Sequence, residues 1–312
     1  MKIVILESHA VNPGDLSWDV LHQFGQLTIY DRTEPADAAT RIGDAEIVLI
    51  NKTPVTAELL DACPSVKLIC VQATGYNVVD CQAAKERGVL VCNVPNYSTN
   101  AVAQFTFSLL LELCNRVGLH DQTVHQGKWS QCTDFCYWDT PQMELYGKTL
   151  GIIGYGNIGK AVAKIGEAFG MKILASSRTS RPGCVDLDTV LAQSDIITLH
   201  CPLTAENTGL INASAIQKMK DGAILINTAR GPLLDEAAVT NALCSGKLRA
   251  AAMDVVSREP ISPDNPLLTA PNCIITPHMA WAPVESRQRI IDCTCRSIEG
   301  YLINKPVNVV NL

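Results

Sequence analysis

The chain has 312 residues, 47% hydrophobic and 18% charged, a globular composition long enough for two ordinary domains and unlike that of a disordered protein. A net charge of −6 and an isoelectric point near 5.5 argue against a non-specific nucleic-acid binder, which needs a basic face to meet phosphates. No apolar run approaches the ~20 residues of a membrane span, so no membrane partner is expected.

The opening MKIVILESHA holds a four-residue apolar run and then turns polar; it is too short for an export signal and reads as a first strand. With thirteen cysteines and no CxxC, this points to the cytoplasm and to thirteen free thiols. Cys293 with Cys295, and Cys132 with Cys136, lack histidines at zinc spacing, so no metal is expected. KIVIL, LTIY, EIVLI and KLICVQAT read as strands, with TAELLDAC and CQAAKERG as helices between them. Continuous apolar strands separated by helices imply a parallel sheet covered on both faces.

AVAQFTFSLLLELCNRV then reads as a long apolar helix with Ser98, Thr99 and Asn100 as candidate N-caps. Residues 119–147, including KWSQCTDFCYWDTP, are polar, aromatic and poorly periodic, and long for a plain loop. Such a segment suits covering a site or reaching a partner subunit. A second series supplies TLGIIG, KILASS, DIITLH, AILINTAR, AAMDVV and CIITPH as strands, before a final helix ESRQRIIDCTCRSIEGYL. The fold class expected is α/β, with two similar units.

Gly154, Gly156 and Gly159 form GxGxxG between an apolar strand and a helix, the context in which the pattern binds a dinucleotide. The first glycine permits the tight turn, the second lets the backbone approach a pyrophosphate, and the third lets the helix pack on the strand. Tyr155, Asn157 and Ile158 belong to the same cofactor set. An acid at the end of the next strand would accept the ribose 2′-hydroxyl and repel a 2′-phosphate. Ser177 stands there instead. Arg178 and Arg181 add charge, and Ser176, Thr179 and Ser180 add donors. The expectation is NADP(H), with NAD(H) as the alternative if the loop is merely solvated.

Ligands of an open parallel sheet bind outside the carboxyl ends of its strands. There stand His200, Cys201 and Pro202 after the third strand, Thr228, Ala229 and Arg230 after the fourth, Asp254 and Glu259 after the fifth, and His278 and Ala280 after the sixth. Arg230, Glu259 and His278 fit the reduction of a 2-keto acid. The arginine fork binds a carboxylate or carbonyl oxygen. The histidine is a general acid near neutral pH. The glutamate holds the imidazole and favours its charged form. Read singly, Arg230 could cap a loop, Glu259 could be a surface acid, and His278 a satisfied buried histidine. His200 reads as packing or orienting, and His9, His22, His120 and His125 are given no role.

GIIGYGNIG, HCPLTAENTGLI, LINTARGPLLDEAAV, AAMDVVSREP and TPHMAWA, in that order, resemble the D-isomer-specific 2-hydroxyacid dehydrogenases over nearly the whole chain. The resemblance implies that Arg230, Glu259 and His278 are the catalytic set and that Asp254 lies by the nicotinamide. It implies that Thr74, Gly75 and Tyr76 offer backbone amides to the substrate carboxylate, and that Thr74 also borders the cofactor. Lys52 would face the substrate. It further implies two Rossmann-like domains. Residues 1–98 with 283–312 would form a discontinuous substrate domain, and residues 99–282 the nucleotide domain. Two hinge helices would join them, and closure would exclude water. Segment 119–147 would be the arm of a homodimer, with Trp138 either entering the neighbouring active site or packing at the interface.

Within the family, NKTPVT, DFCYWDTP and HMAWA are most similar to the glycerate dehydrogenases, also called hydroxypyruvate reductases, with Trp281 bordering the substrate. Ser177 departs from the aspartate of NAD-using relatives. The activity implied is reduction of hydroxypyruvate or glyoxylate to D-glycerate or glycolate. Two alternatives are a reductase of another 2-keto acid and a nucleotide-sensing, corepressor-like protein without turnover. The latter is disfavoured because the chain stops soon after its last helix. Formate or phosphite oxidation fits the Arg–Glu–His set less well.

Overall fold

The computed structural model describes residues 1–179 and 181–312. Ser180, one of the expected loop donors, lies outside them. The chain forms two α/β units, Met1–Ser98 with Ala282–Leu312, and Thr99–Trp281.

The first unit's sheet contains β1 (Lys2–Ile5), β2 (Gln26–Ile29), β3 (Ile47–Ile50), β4 (Leu68–Val71) and β5 (Leu90–Cys92). Their order is β2-β1-β3-β4-β5, and every pairing is parallel. All residues of β3 and β4 are buried, whereas edge strand β2 is mostly exposed. Continuous apolar runs therefore mark the strands that helices cover on both faces. Helices Ala57–Ala62 and Cys81–Glu86 start at Thr56 and Asp80, whose side chains accept the amides of Leu59 and Ala83. The last helix, Val284–Leu302, is tied in by the buried Arg287, which meets both Asp15 carboxylate oxygens at 2.7 and 2.6 Å. The tail returns to β5, where the Asn311 side chain accepts the amide of Val91 and donates to the carbonyl of Val89.

The second unit contains β6 (Thr149–Ile153), β7 (Lys172–Ser176), β8 (Ile196–Leu199), β9 (Ala223–Asn227), β10 (Leu248–Met253) and β11 (Cys273–Ile275). Its parallel order is β11-β10-β9-β8-β6-β7. Side chains alternate between two cores. Ile197, Leu199, Leu225 and Met253 pack with Val239 on one face. Ile196, Ile224, Ile226, Ala250 and Ala252 pack on the other against Phe107 and Leu110 of the helix Thr99–Asn115. The strand order reverses between β6 and β8, which opens a crevice at their carboxyl ends. In the first unit the same reversal falls between β1 and β3.

Two local expectations differ. The long helix begins at Thr99, so Thr99 and Asn100 lie in its first turn rather than capping it. Segment 119–147 is not wholly irregular, because a helix spans Val117–His125 and a 3₁₀ turn spans Trp129–Gln131. That helix buries no residue, so it leaves no apolar stripe for a sequence pattern to reveal. Among the described residues no helix is long and apolar enough to cross a membrane. The thirteen cysteines are free thiols.

Candidate active site

The glycine turn lies on the crevice side of β6 and opens the helix Asn157–Ala168. Gly154 has φ 102°, and a Cβ there would stand 2.4 Å from the Cys201 amide nitrogen and 2.6 Å from the His200 carbonyl carbon. Only glycine lets the loops after β6 and β8 touch in this way. Gly156 faces open space, with no atom within 4 Å of a Cβ built there, and no side chain caps the helix at that position. Open space against helix N-terminal amides fits the pyrophosphate of a dinucleotide. The residues present therefore fit the pyrophosphate of a dinucleotide cofactor.

Beyond β7, Ser177 Oγ lies 3.5 Å from Thr179 Oγ1, and Arg181 Nε donates to the same hydroxyl at 3.4 Å. Arg181 Nη1 also donates to the Tyr155 carbonyl at 3.0 Å, which brings its charge onto the glycine turn. Arg178 is exposed. The Glu206 carboxyl is held below its ordinary range by a hydrogen bond from Thr204, with a smaller contribution from the charge of Arg178. His200 lies under the turn, with Nε2 2.9 Å from Thr198 Oγ1. Burial pushes its pKa down to about 3, so it is neutral near pH 7.

The next three strands deliver the remaining candidates. After β9, the buried Asn227 side chain accepts the Ala229 amide at 2.9 Å and donates to the Arg230 carbonyl at 2.8 Å, closing the turn over Thr228–Arg230. Thr228 Oγ1 meets Thr106 Oγ1 at 3.3 Å. Arg230 projects into solvent, and its Nη1 donates to the Ala229 carbonyl at 2.7 Å. Gly231 follows, and a Cβ there would stand 1.9 Å from the Val256 carbonyl carbon. The segments carrying Arg230 and Glu259 are thus pressed together backbone to backbone.

After β10, Asp254 is 1% exposed, and its carboxylate accepts Thr276 Oγ1 at 2.6 Å and the amides of Met279 and Ala280 at 2.9 Å. Burial raises its pKa against those hydrogen bonds. Its carbonyl accepts the His278 amide at 2.8 Å. Asp254 therefore organises the whole loop after β11. His278 sits in that loop at φ 52°, an unusual conformation for a bulky residue. Its Nδ1 lies 2.7 Å from Glu259 Oε2, and Glu259 Oε1 accepts the Val256 amide at 3.3 Å. With Nδ1 engaged, Nε2 is the ring nitrogen left to face a ligand.

Lys52, Thr74, Gly75 and Tyr76 belong to the first unit. There Glu7 Oε2 accepts three successive amides, those of Asn51, Lys52 and Thr53, at 2.9, 2.8 and 2.7 Å. Lys52 is exposed. Thr74 Oγ1 donates to the Val94 carbonyl at 2.9 Å, and Asn93 donates to the Thr74 carbonyl at 2.7 Å, fixing the loop after β4. Trp281 ends the second unit and is half-buried; Trp138 in the same unit is 66% exposed. Among the described residues no cluster of three or more His, Cys, Asp or Glu is placed to hold a metal. Sequence reasoning missed Asn227 and Glu7. Asn227 had a local signal, as an Asn at the start of a turn; Glu7 acts at long range.

The sequence matches the family model described as D-isomer specific 2-hydroxyacid dehydrogenase, NAD binding domain, over residues 107–280. A hydroxypyruvate reductase of Blautia hydrogenotrophica is 52% identical, with 100% of both chains covered. A glycerate dehydrogenase of Methylorubrum extorquens is 43% identical, covering 99% of this chain and 98% of its own. Among solved structures, an acyclic imino acid reductase in complex with NADPH and D-Arg superposes with a TM-score of 0.87 at 30% identity, covering 99% of this chain and 100% of its own.

Proposed function

The chain belongs to the D-isomer specific 2-hydroxyacid dehydrogenase family, and on that premise we propose that it reduces hydroxypyruvate to D-glycerate, and glyoxylate to glycolate. The observation that carries this reading is the Glu259–His278 pair, 2.7 Å apart, with the segment bearing Glu259 packed against the Arg230 segment at the carboxyl ends of a dinucleotide-type sheet. When bound, the reduced nicotinamide supplies a hydride to C2 of the keto acid. Arg230 presents its donor fork to the carboxylate or carbonyl oxygen of the substrate. His278 Nε2 gives the proton that the C2 oxygen needs, so keto acid, hydride and proton balance to hydroxy acid and oxidised cofactor. Glu259 holds the ring through Nδ1 and so fixes the direction in which Nε2 points. In oxidation Nε2 takes the proton back. Thr74, Gly75 and Tyr76 are assigned to the substrate carboxylate, and Lys52 and Trp281 to the rest of the substrate.

For the cofactor, we infer a preference for NADPH over NADH. Ser177 in place of an acid removes repulsion toward a 2′-phosphate, and Arg178 and Arg181 add positive charge. The arm 119–147 is assigned to a homodimer interface. Phe135 is 88% and Trp138 66% exposed, apolar area that a second copy would cover. Thirteen free thiols support a reducing compartment, the cytoplasm.

The test is the absorbance decay of NADPH and of NADH, separately, with hydroxypyruvate, glyoxylate and pyruvate. Faster decay with NADPH and hydroxypyruvate is expected, and His278→Ala should lower kcat by about 10²–10⁴-fold. Faster NADH turnover would overturn the cofactor preference. No turnover across a broad 2-keto acid panel would overturn the enzyme reading in favour of a sensing protein.

A further inference from the structure

The helix Glu236–Cys244 opens with two consecutive acids, of which Asp235 does the capping: its side chain accepts the Ala238 amide at 3.0 Å. The second acid is therefore free for another task. Glu236 Oε1 accepts the Ser257 amide at 2.7 Å, and Oε2 accepts Ser257 Oγ at 2.8 Å and Asn265 Nδ2 at 2.9 Å. Asn265 is 8% exposed, and its Oδ1 accepts the Leu267 amide at 3.0 Å, starting the turn Pro266–Thr269. One carboxylate thus grips both ends of the segment on which Glu259 is carried.

Its grip on Ser257 has a direct bearing on Glu259. The neighbouring amide, that of Val256, donates to Glu259 Oε1, while Glu259 Oε2 meets His278 Nδ1. The backbone of Val256 and Ser257 is also the surface on which Gly231 rests. A shift at Ser257 would therefore reach Glu259, and through it the imidazole. The His278 backbone is held separately, its amide donating to the Asp254 carbonyl at 2.8 Å. Asp254 holds the histidine's own loop and is independent of Glu236.

We propose that Glu236 is a positioning residue for the Glu259–His278 pair, locking the segment that carries Glu259 to the one that carries Arg230. It acts through Ser257 and Asn265. The inference rests on the dehydrogenase reading for its kinetic consequence, but its geometric content can be tested without turnover.

The experiment compares the full-length wild type with Glu236→Ala and Glu236→Gln. It measures kcat and KM for hydroxypyruvate, coenzyme Kd by nicotinamide fluorescence, and the low-temperature proton NMR signal of the His278 Nδ1–H, assigned by its absence in His278→Gln. Glu236→Ala is expected to lower kcat by about 10- to 100-fold, the usual effect of misplacing a reacting group by ~1 Å. Coenzyme Kd should stay within about twofold, and the downfield Nδ1–H signal should shift or vanish. Glu236→Gln keeps one acceptor oxygen for the Ser257 amide and should fall between the two. Wild-type kcat and an unmoved signal in a folded Glu236→Ala would overturn the proposal, even if its melting temperature dropped, because Glu236 would then be only a brace. An equal loss of coenzyme affinity and kcat would overturn it too, by showing general damage to the unit. Should Glu236→Ala not fold, the same two measurements on Glu236→Gln decide, with wild-type values overturning the proposal. If the wild type turns over no 2-keto acid, the functional reading has failed, and the NMR signal alone still decides the positioning.

Discussion

Gly231→Ala is expected to disable the enzyme while leaving coenzyme binding nearly intact. The added Cβ would lie 1.9 Å from the Val256 carbonyl carbon, 2.0 Å from its oxygen and 2.4 Å from the Ser257 nitrogen. Non-bonded carbons settle at about 3.5 Å, so the two segments must part by roughly 1.5 Å. All three contacts are backbone, and no rotamer change can absorb the strain. The stability cost should fall near the top of the ~1–3 kcal/mol typical of overpacking. The displacement separates Arg230 from Glu259, and a shift of ~1 Å in a reacting group can cost on the order of 10² in rate. The assay combines kcat for hydroxypyruvate, coenzyme Kd by fluorescence and urea unfolding. A folded variant with kcat within about threefold of wild type would refute the claim that this backbone contact sets the catalytic geometry.

Gly156→Ala should do the reverse: a Cβ there meets nothing within 4 Å. Folding stability should fall by no more than about 1 kcal/mol, while the added methyl obstructs the pyrophosphate and raises coenzyme Kd at least about tenfold in a fluorescence titration. Ser177→Asp should weaken NADPH relative to NADH by about tenfold or more, read from the ratio of kcat/KM values; an unchanged ratio would remove the phosphate-pocket argument. His200 makes folding sensitive to acid. Its folded pKa is pushed down to about 3, whereas in an unfolded chain it titrates near about 6.5. The unfolded state therefore takes up the proton first. The contribution is whole above about pH 6.5 and drains as pH falls toward 3, by up to about 1.4 kcal/mol per pH unit. His200→Gln should unfold in urea with a shallower pH dependence between about pH 6 and 4, and an identical slope would count against the buried neutral ring.

Much of the architecture was legible because parallel strands buried on both faces must be continuously apolar. KIVI, IVLI and LICV announce themselves, and so does the glycine turn between β6 and its helix. Reading along the strand ends also places Arg230, Glu259 and His278 after β9, β10 and β11, where the structure has them. What escaped were contacts made only when distant segments meet. Glu236 looks like an ordinary helix-start acid in LLDEAAV, yet its partners Ser257 and Asn265 lie far along the chain. The resemblance places Asp254 by the cofactor; that three donors from the His278 loop converge on its carboxylate follows from the β10–β11 pairing, which no local pattern encodes. The helix Val117–His125 escaped for the opposite reason, since it buries nothing and so has no periodicity to read.

Glu7 marks a division of labour between two units that share an architecture. In the second unit the strand reversal leaves helix amides and open space at Gly156 for an incoming anion. In the first unit, at the reversal between β1 and β3, three amide donors converge on a carboxylate of the chain itself. A free phosphate or carboxylate arriving there competes with a tethered rival, whose effective concentration is of millimolar order or above however dilute the solution. The first unit is thus self-occupied at the point where its counterpart leaves helix amides open to an incoming anion.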